Sequence, residues 1–408
     1  MHPSTDFAII GGGAAGLAAA VTANECGDRV TIFEQGNTIG RKIAASGSGR
    51  CNLMNSGISK FYGDTSFAEK VLEQCPRQRL IRYWKNLGIY LNEETEGRMY
   101  PSTFRSGTVT DAYRIFLKSS GTNVLLQTGI REIRKEGGFF RIFSDNREYT
   151  ASRVLIACGG AANPRLGGNE SGYRLLKSFG HAVISPEPAL CPLKTDAKSI
   201  SGLAGIRVKC RAVLKDSNGK SLRSEQGEAL FTENGISGIC IMQFARFAAA
   251  GDRIELDLVH RVFSDQEELY KALIQRQKYT AMFAPEILLN TLLAPKLSYA
   301  VLKQSGIEMK NRKAGDLSSE EIRMIADRCR KYTVSVTGNC GFEEAQVTAG
   351  GADCTAFDPE TMRSRLVKGL HAAGEVLNVD GDCGGFNLMF ATAGGILAGL
   401  NGRRETEI

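Results

Sequence analysis

The apolar positions change period several times along the chain, and each change marks an element. Asp6–Ile10 (DFAII) is a short, nearly continuous apolar run and predicts a buried strand. Gly11-Gly12-Gly13-Ala14-Ala15-Gly16 comes next, then LAAAVTANECG, an alanine-rich helix former stopped at Gly27. Arg29–Phe33 predicts a second strand, closed by Glu34. Val124–Gln127, Phe139–Ser144 and Arg147–Thr150 read as three more strands. Val154-Leu155-Ile156 reads as a separate apolar strand that runs into Ala157-Cys158-Gly159-Gly160. Beyond Pro192, Arg207–Leu214 and Glu228–Phe231 predict short strands. From Asp265 to Lys331 the spacing turns helical, with Leu269, Leu273 and Ile274 on one face, then Ile322, Ile325 and Ala326. Ala345–Gly351 returns to glycine-rich strand. Gly369–Glu375 predicts a strand ending in Gly-acid, followed by Asp380-Gly381 and by Gly384-Gly385-Phe386-Asn387 before a last helix.

The first of these blocks carries a specific chemistry. Strand, GxGxxG, helix, strand and acid arrive in order, with Glu34 standing 18 positions after Gly16. Gly11 permits a tight turn, Gly13 lets the backbone approach a pyrophosphate, and Gly16 allows the helix to pack closely on the sheet. The helix N-terminus offers free N–H groups and a positive dipole end to phosphates. Glu34 would accept hydrogen bonds from the adenosine ribose, and its charge disfavours a 2′-phosphate. The ligand expected is an adenine dinucleotide.

The segment after Glu34 favours FAD over a nicotinamide. Gly40-Arg41-Lys42 leads into Ser46-Gly47-Ser48-Gly49-Arg50-Cys51-Asn52, a second glycine-rich loop that would bring backbone against a bulky planar ligand. Ala157–Gly160 would pass small residues beside the cofactor. A carboxylate in the block after Gly374 would hold ribityl hydroxyls, and the helix after Gly385 would aim its N-terminus at the flavin pyrimidine, where reduction builds negative charge. No second GxGxxG with a trailing strand and acid is present, because Gly167–Gly172 lacks the spacing. NAD(P)H would therefore dock transiently as hydride donor.

Composition narrows the class. The chain has 408 residues, 42% hydrophobic and 23% charged, which suits two or three globular domains. Its net charge of +7 is spread without any basic run, and it has one Trp, so no nucleic-acid partner is expected. Eleven cysteines, an odd number with no CxxC pair, argue against a disulfide framework and against metal ligation, and suit a reducing cytoplasm. Phe7–Val21 is apolar but short for a membrane span, and Asp6 abuts it, so no membrane insertion is expected. A small-molecule substrate is the expected partner, and oligomeric state is not legible.

Several ordered motifs resemble the BaiN/YhiN-like family of FAD-dependent oxidoreductases: GGGAAGLAAA, GRKIAASGSGRCN, RMYPSTFRSGTVTDA, IACGGAANP, GGNESGYRLLKSFGH, PEPALCPL, GEALFTENGISG and GEVLNVDGDCGGFNL. The chain departs from the family pattern at Glu233-Asn234, Ile239, Phe390 and Thr392, which bears on substrate more than on fold. The resemblance implies an α/β fold: an FAD-binding Rossmann-like domain of the two-dinucleotide-fold type, with an inserted β-barrel-like domain and a helical insertion. The expected boundaries are 1–190 with 343–408 for the FAD domain, 191–255 with 330–342 for the β-rich part, and 256–329 for the helical part. The cofactor contacts expected are Gly11, Gly13, Ala14, Ala15, Gly16, Glu34, Arg41, Lys42, Gly49, Arg50, Cys51, Asn52, Ile130, Ala157, Gly159, Gly374, Glu375, Asp380, Gly385, Asn387 and Leu388.

Catalytic candidates are few. Arg50 and Asn52 are expected to contact the flavin ring or a substrate carbonyl. Cys51 has no partner for disulfide chemistry, and reads either as a buried cysteine or as a low-pKa thiol beside Arg50. Tyr100 and Glu233 are loop candidates for proton delivery. His371 reads as a core residue, and His181, in Phe179-Gly180-His181, as a cation at a helix C-terminus. The family resemblance implies a reductase passing hydride from NAD(P)H through FAD to an activated C=C bond, as in 3-oxo-Δ4 or Δ4,6 bile-acid intermediates, carried as free acids or CoA thioesters. Its alternatives are an oxidase of small amines such as aminoacetone and, third, a tRNA-modifying flavoprotein.

Overall fold

The computed structural model describes residues 4–58 and 60–403. The chain is α/β and separates into two compact units, one made of residues up to Pro188 together with those from Gln346 onward, the other of Ala189–Ala345.

The first unit is organised by a seven-stranded sheet. Its order is Asn123–Leu125, Val30–Phe33, Thr5–Ile10, Glu148–Ile156, Phe139–Ser144 and Ile130–Glu136, with Leu370–Ala372 also paired to Glu148–Ile156. The first four strands run parallel, and the Phe139–Ser144 and Ile130–Glu136 strands add an antiparallel hairpin. Glu148–Ile156 is one continuous strand, not the two that the hydrophobic pattern predicts. Its first half pairs antiparallel with Phe139–Ser144 and its second half parallel with Leu370–Ala372. Arg153 lies between the two expected segments, and its guanidinium is buried against Asp28, donates to the Ala398 carbonyl and lies 3.7 Å over the Phe7 ring.

The helix Ala14–Glu25 is buried from Ala15 to Ala23, so its apolar residues surround it rather than forming one stripe. It packs against the C-terminal helix Phe386–Leu400 through small residues. A Cβ on Gly395 would come within 2.3 Å of the Ala15 carbonyl oxygen, and one on Gly399 within 2.8 Å of that of Ala19. Because Gly395 meets Ala15 and Gly399 meets Ala19 and Thr22, the two helices run parallel. The C-terminal helix therefore begins about 12 Å beyond the start of its neighbour, at 1.5 Å per residue.

The second unit holds a closed six-stranded antiparallel barrel of Leu193–Thr195, Gly235–Ser237, Ser221–Phe231, Arg207–Lys215, Arg253–Asp257 and Tyr332–Asn339. Between its last two strands in sequence lie the helices Gln266–Thr280, Pro295–Gln304 and Ser319–Arg330. Asp265 caps the first of these, and Ser318 with Glu321 forms a capping box on the last. Leu269, Leu273, Ile322, Ile325 and Ala326 are buried, as the helical spacing predicts. No helix among the described residues is long and apolar enough to cross a membrane.

His371 sits in the Leu370–Ala372 strand, 5.9 Å from the Phe7 ring in an edge-on contact, and is buried. Burial, with the charges of Arg153 and Arg363, pushes its pKa down to about 3. Below pH 6.5 the unfolded chain takes up a proton that folded His371 refuses, so stability is lost as pH falls. The slope for one such group is at most ~1.4 kcal/mol per pH unit. Thermal unfolding between pH 7 and 5 should show Tm falling more steeply for the wild type than for His371→Phe.

Candidate active site

The loop Gly11–Gly16 is shaped by backbone contacts. Gly11 has φ +112°, and a Cβ there would lie 2.4 Å from the Ala157 oxygen; one on Gly16 would lie 2.0 Å from the Gly11 oxygen. Gly13 differs, since its Cβ would meet no described atom within 4 Å and its backbone is extended. The first intrahelical bond into this turn runs from Leu17 N–H to the Gly13 carbonyl, which leaves the N–H groups of Ala14, Ala15 and Gly16 outside the helical ladder. No described side chain caps them.

Glu34 is fixed beside this turn. One carboxylate oxygen accepts from Gly12 N–H at 2.8 Å and the other from Gly36 N–H at 2.6 Å. Gln127 and Thr128 donate to the Gly36 and Glu34 carbonyls at 2.9 Å each, so the segment leading to Ile130 runs along the Glu34 turn. Arg41 lies against the same turn, with its guanidinium donating to the Arg165 carbonyl.

Next along the sheet ends comes a polar junction. Lys42 Nζ stands 3.4 Å from Glu375, whose same oxygen accepts from Thr348 N–H at 3.2 Å. Gly160 must lack a side chain here, because a Cβ would lie 2.5 Å from that oxygen. A Cβ on Gly159, with φ +74°, would meet no described atom within 4 Å. Gly374, with φ +81°, stands against Ala15. Asp380 is buried in the Val379–Gly381 strand opposite Tyr62.

The start of the C-terminal helix forms the third part. Gly385 is its N-cap, with φ +101°, and Met389 N–H bonds to the Gly385 carbonyl, leaving Phe386, Asn387 and Leu388 N–H outside the helical ladder. The Asn387 side chain is engaged in the loop, bonding Gly381 N–H and carbonyl at 2.8 Å each, so its backbone N–H is what it offers. Asn52 approaches the same turn. Its buried side-chain oxygen accepts from no described residue, and a Cβ on Gly385 would lie 2.7 Å from it. Asn55, absent from the sequence-based set, ties this turn to the loop by donating to the Gly384 carbonyl at 2.8 Å. An asparagine in a two-residue strand carries no local signal of that role.

Three parts of one surface of the first unit thus present free N–H groups, a fixed ribose-type acid and an unpartnered acceptor, and these fit a flavin dinucleotide. The family description "HI0933-like protein Rossmann domain" matches residues 5–401. The chain belongs to that family. This HI0933-like chain is 32% identical to the 3-dehydro-bile acid delta(4,6)-reductase of Clostridium scindens, over 405 residues covering 96% of this chain and 97% of that one. It is 27% identical to the ribosomal RNA dihydrouridine synthase of Haemophilus influenzae, over 99% of this chain and 100% of that one. Among solved structures, the 3-ketosteroid-Δ4-(5α)-dehydrogenase of Rhodococcus jostii shares the fold, with a TM-score of 0.50 at 15% identity over 98% of this chain and 97% of that one.

Three sequence-based expectations in this HI0933-like chain need correction. Cys51 is no low-pKa thiol: it is fully buried and burial pushes its pKa up to about 11. Tyr100 lies in the Arg98–Pro101 strand rather than a loop and is buried, whereas Glu233 is exposed in the second unit, in the bend before Gly235–Ser237. His181 is no helix-end cation. It is buried, stacked at 4.5 Å on Phe357, with Nε2 3.0 Å from Ser364 Oγ, and burial lowers its pKa.

The contrast between two glycines tests the fit. Gly13→Ala should leave the Tm of the flavin-free protein within ~1 °C of wild type, because the Cβ meets nothing, yet weaken FAD binding by ~10-fold or more. Gly11→Ala should instead destabilise the flavin-free protein by ~2–3 kcal/mol. Thermal melts of flavin-free protein and FAD fluorescence titration read the two effects separately.

Proposed function

We propose that this flavoprotein oxidoreductase reduces a carbon–carbon double bond conjugated to a carbonyl in a steroid-like molecule of the 3-oxo-Δ4 or Δ4,6 bile-acid type, with NAD(P)H as transient hydride donor. The observation that carries this reading is the 32% identity, nearly end to end in both chains, with a bile-acid delta(4,6)-reductase. Such a substrate would be a free acid or a CoA thioester. A nicotinamide-linked enzyme whose cysteines are all free thiols fits a reducing cytoplasm.

In this reading the chain's own groups divide the work. Ala14, Ala15 and Gly16 N–H would hold the pyrophosphate at the positive end of their helix. Glu34, oriented by Gly12 and Gly36, would take the adenosine ribose. Lys42 and Glu375 lie between, and the Phe386–Leu388 N–H groups would face the flavin edge where negative charge develops. When bound, FAD supplies hydride transfer at N5. The buried Cys51 thiol stays protonated and takes no part as a nucleophile.

A second reading has its own support. The 27% identity to a ribosomal RNA dihydrouridine synthase also spans both chains. Saturating the uracil C5=C6 bond is the same class of reaction, since that bond is conjugated to a carbonyl. The absence of any basic run in the sequence favours the small-molecule substrate.

Anaerobic titration of the yellow protein decides between them. NADH or NADPH should bleach the flavin, and a 3-oxo-Δ4,6 bile acid should return the oxidised spectrum in stoichiometric amount. Reoxidation by unmodified ribosomal RNA with no response to the dienone would transfer the assignment to the second reading.

A further inference from the structure

The loop Ser46–Asn52 and the strand–turn Arg98–Phe104 meet in a strained cluster. Ser48, Cys51 and Phe104 hold φ of 56°, 59° and 52°, a region that bulky side chains avoid. Strain of this kind persists where the surroundings over-determine it, and it clusters at functional sites. Gly47 belongs to the same contact, since its Cβ would stand 3.7 Å from the Tyr100 ring.

A guanidinium sits in the same cluster. The Arg50 Cζ lies 4.4 Å from the centroid of Tyr100 and 4.8 Å from that of Phe104, and the two rings stand 5.7 Å apart at 43°. Arg50 Nη2 donates to Glu94 at 2.8 Å. Among the described residues Glu94 is the one hydrogen-bond acceptor of Arg50, so most of its five N–H groups are unengaged. The side chain is 42% exposed. A guanidinium seated over two rings meets no acceptor there, so its unengaged N–H groups remain available to recognise oxygen. The paired Glu94 offsets its charge, which weakens attraction for a permanent anion and leaves the N–H donors suited to a neutral carbonyl oxygen that gains charge during reaction. Two positions on, Asn52 reaches the start of the C-terminal helix, so one loop carries both groups.

We propose that Arg50 donates to the carbonyl oxygen conjugated with the double bond reduced in this site, and that Tyr100 and Phe104 are positioning residues that hold its guanidinium in place. The inference rests on the reductase reading of the site. As hydride reaches the far carbon, the C=C electron pair forms the new double bond toward the carbonyl carbon and the carbonyl pair moves onto oxygen. Arg50 stabilises that oxygen and keeps its own protons. The near carbon then takes a proton from water, and the carbonyl re-forms with one C–C bond saturated.

The test uses the FAD-loaded full chain and whichever of the dienone bile acid or ribosomal RNA the wild type reduces. Arg50→Ala should lose ~100–1,000-fold in kcat, the cost of removing an oxyanion donor. Added guanidinium should restore part of that loss where ammonium does not. Phe104→Leu should lower kcat ~10-fold with flavin content retained, and Phe104→Tyr should recover it, because only an aromatic face orients the guanidinium. A binding readout is independent of turnover: by equilibrium dialysis, wild type should prefer a 3-oxo-Δ4 bile acid over its 3-hydroxy analogue, and Arg50→Ala should lose that preference. Should Arg50→Ala lose its flavin, Arg50→Lys replaces it, keeping the charge and removing the planar edge. The proposal is overturned if flavin-loaded Arg50 variants keep kcat within threefold, or if the 3-oxo preference survives in them. A wild type that reduces neither substrate overturns the reductase reading itself, and this inference with it.

Discussion

The parallel contact between the Ala14–Glu25 helix and the C-terminal helix is the constraint on which the first unit depends. Gly395 and Gly399 lack side chains because the Ala15 and Ala19 carbonyls and the Thr22 side chain occupy that space. At such a distance the helices cannot slide without backbone clash, so their relative rise is set. That rise separates two helix N-termini by about 12 Å along the axis. The Ala157 carbonyl, pressed against Gly11, fixes the first of them from the sheet side. Two positive helix ends are thus held by close-packed backbone rather than by charged side chains, which keeps them available to a ligand.

The same economy explains what the sequence makes legible. GxGxxG with its trailing acid reads correctly because every step is local: Gly11, Gly16 and Glu34 are each constrained by atoms close to one strand–helix–strand unit. Helical spacing predicts Leu269 and Ile325 as core for the same reason. The continuity of Glu148–Ile156 is not legible in this way, because Arg153 is accommodated in that strand by an ion pair with Asp28, which comes from a turn distant in sequence. His181 misleads in the opposite direction. A histidine after a helix C-terminus is a sound site for a cation, but Phe357 and Ser364 arrive from far along the chain and bury it. The clamp on Arg50 joins residues 50 positions apart whose pairing no motif records.

Cysteine chemistry shows how burial overrides composition. A thiol near a flavin site invites a nucleophilic reading, yet in the three that stand beside the candidate site burial pushes the pKa up, to about 11 in Cys51, to about 12 in Cys158, and upward in Cys383. Cys158 sits at the end of the central strand with its Sγ donating to the Ile10 carbonyl. A small apolar side chain with a weak donor is what that corner of the sheet needs. Electron transfer in such a site falls to a bound cofactor, while the protein contributes shape and aligned N–H groups.

The two relatives with different substrates place one demand on the site and another on its surroundings. A dienone bile acid and a uracil ring differ in size, charge and hydration, but each presents a double bond conjugated to a carbonyl. In the proposed reading, the first unit needs only that shared feature: helix N-termini for the cofactor and a donor for one oxygen. On that reading, discrimination between a steroid and a nucleobase would rest on a shaped apolar surface, because an oxygen donor rewards both alike. Of the positions where this chain departs from the family it resembles, Glu233-Asn234 and Ile239 lie in the second unit, and Phe390 and Thr392 lie in the C-terminal helix of the first. Departures in both units mean that a change of substrate need not follow the division of the fold, because function is set by sites rather than by the fold that carries them.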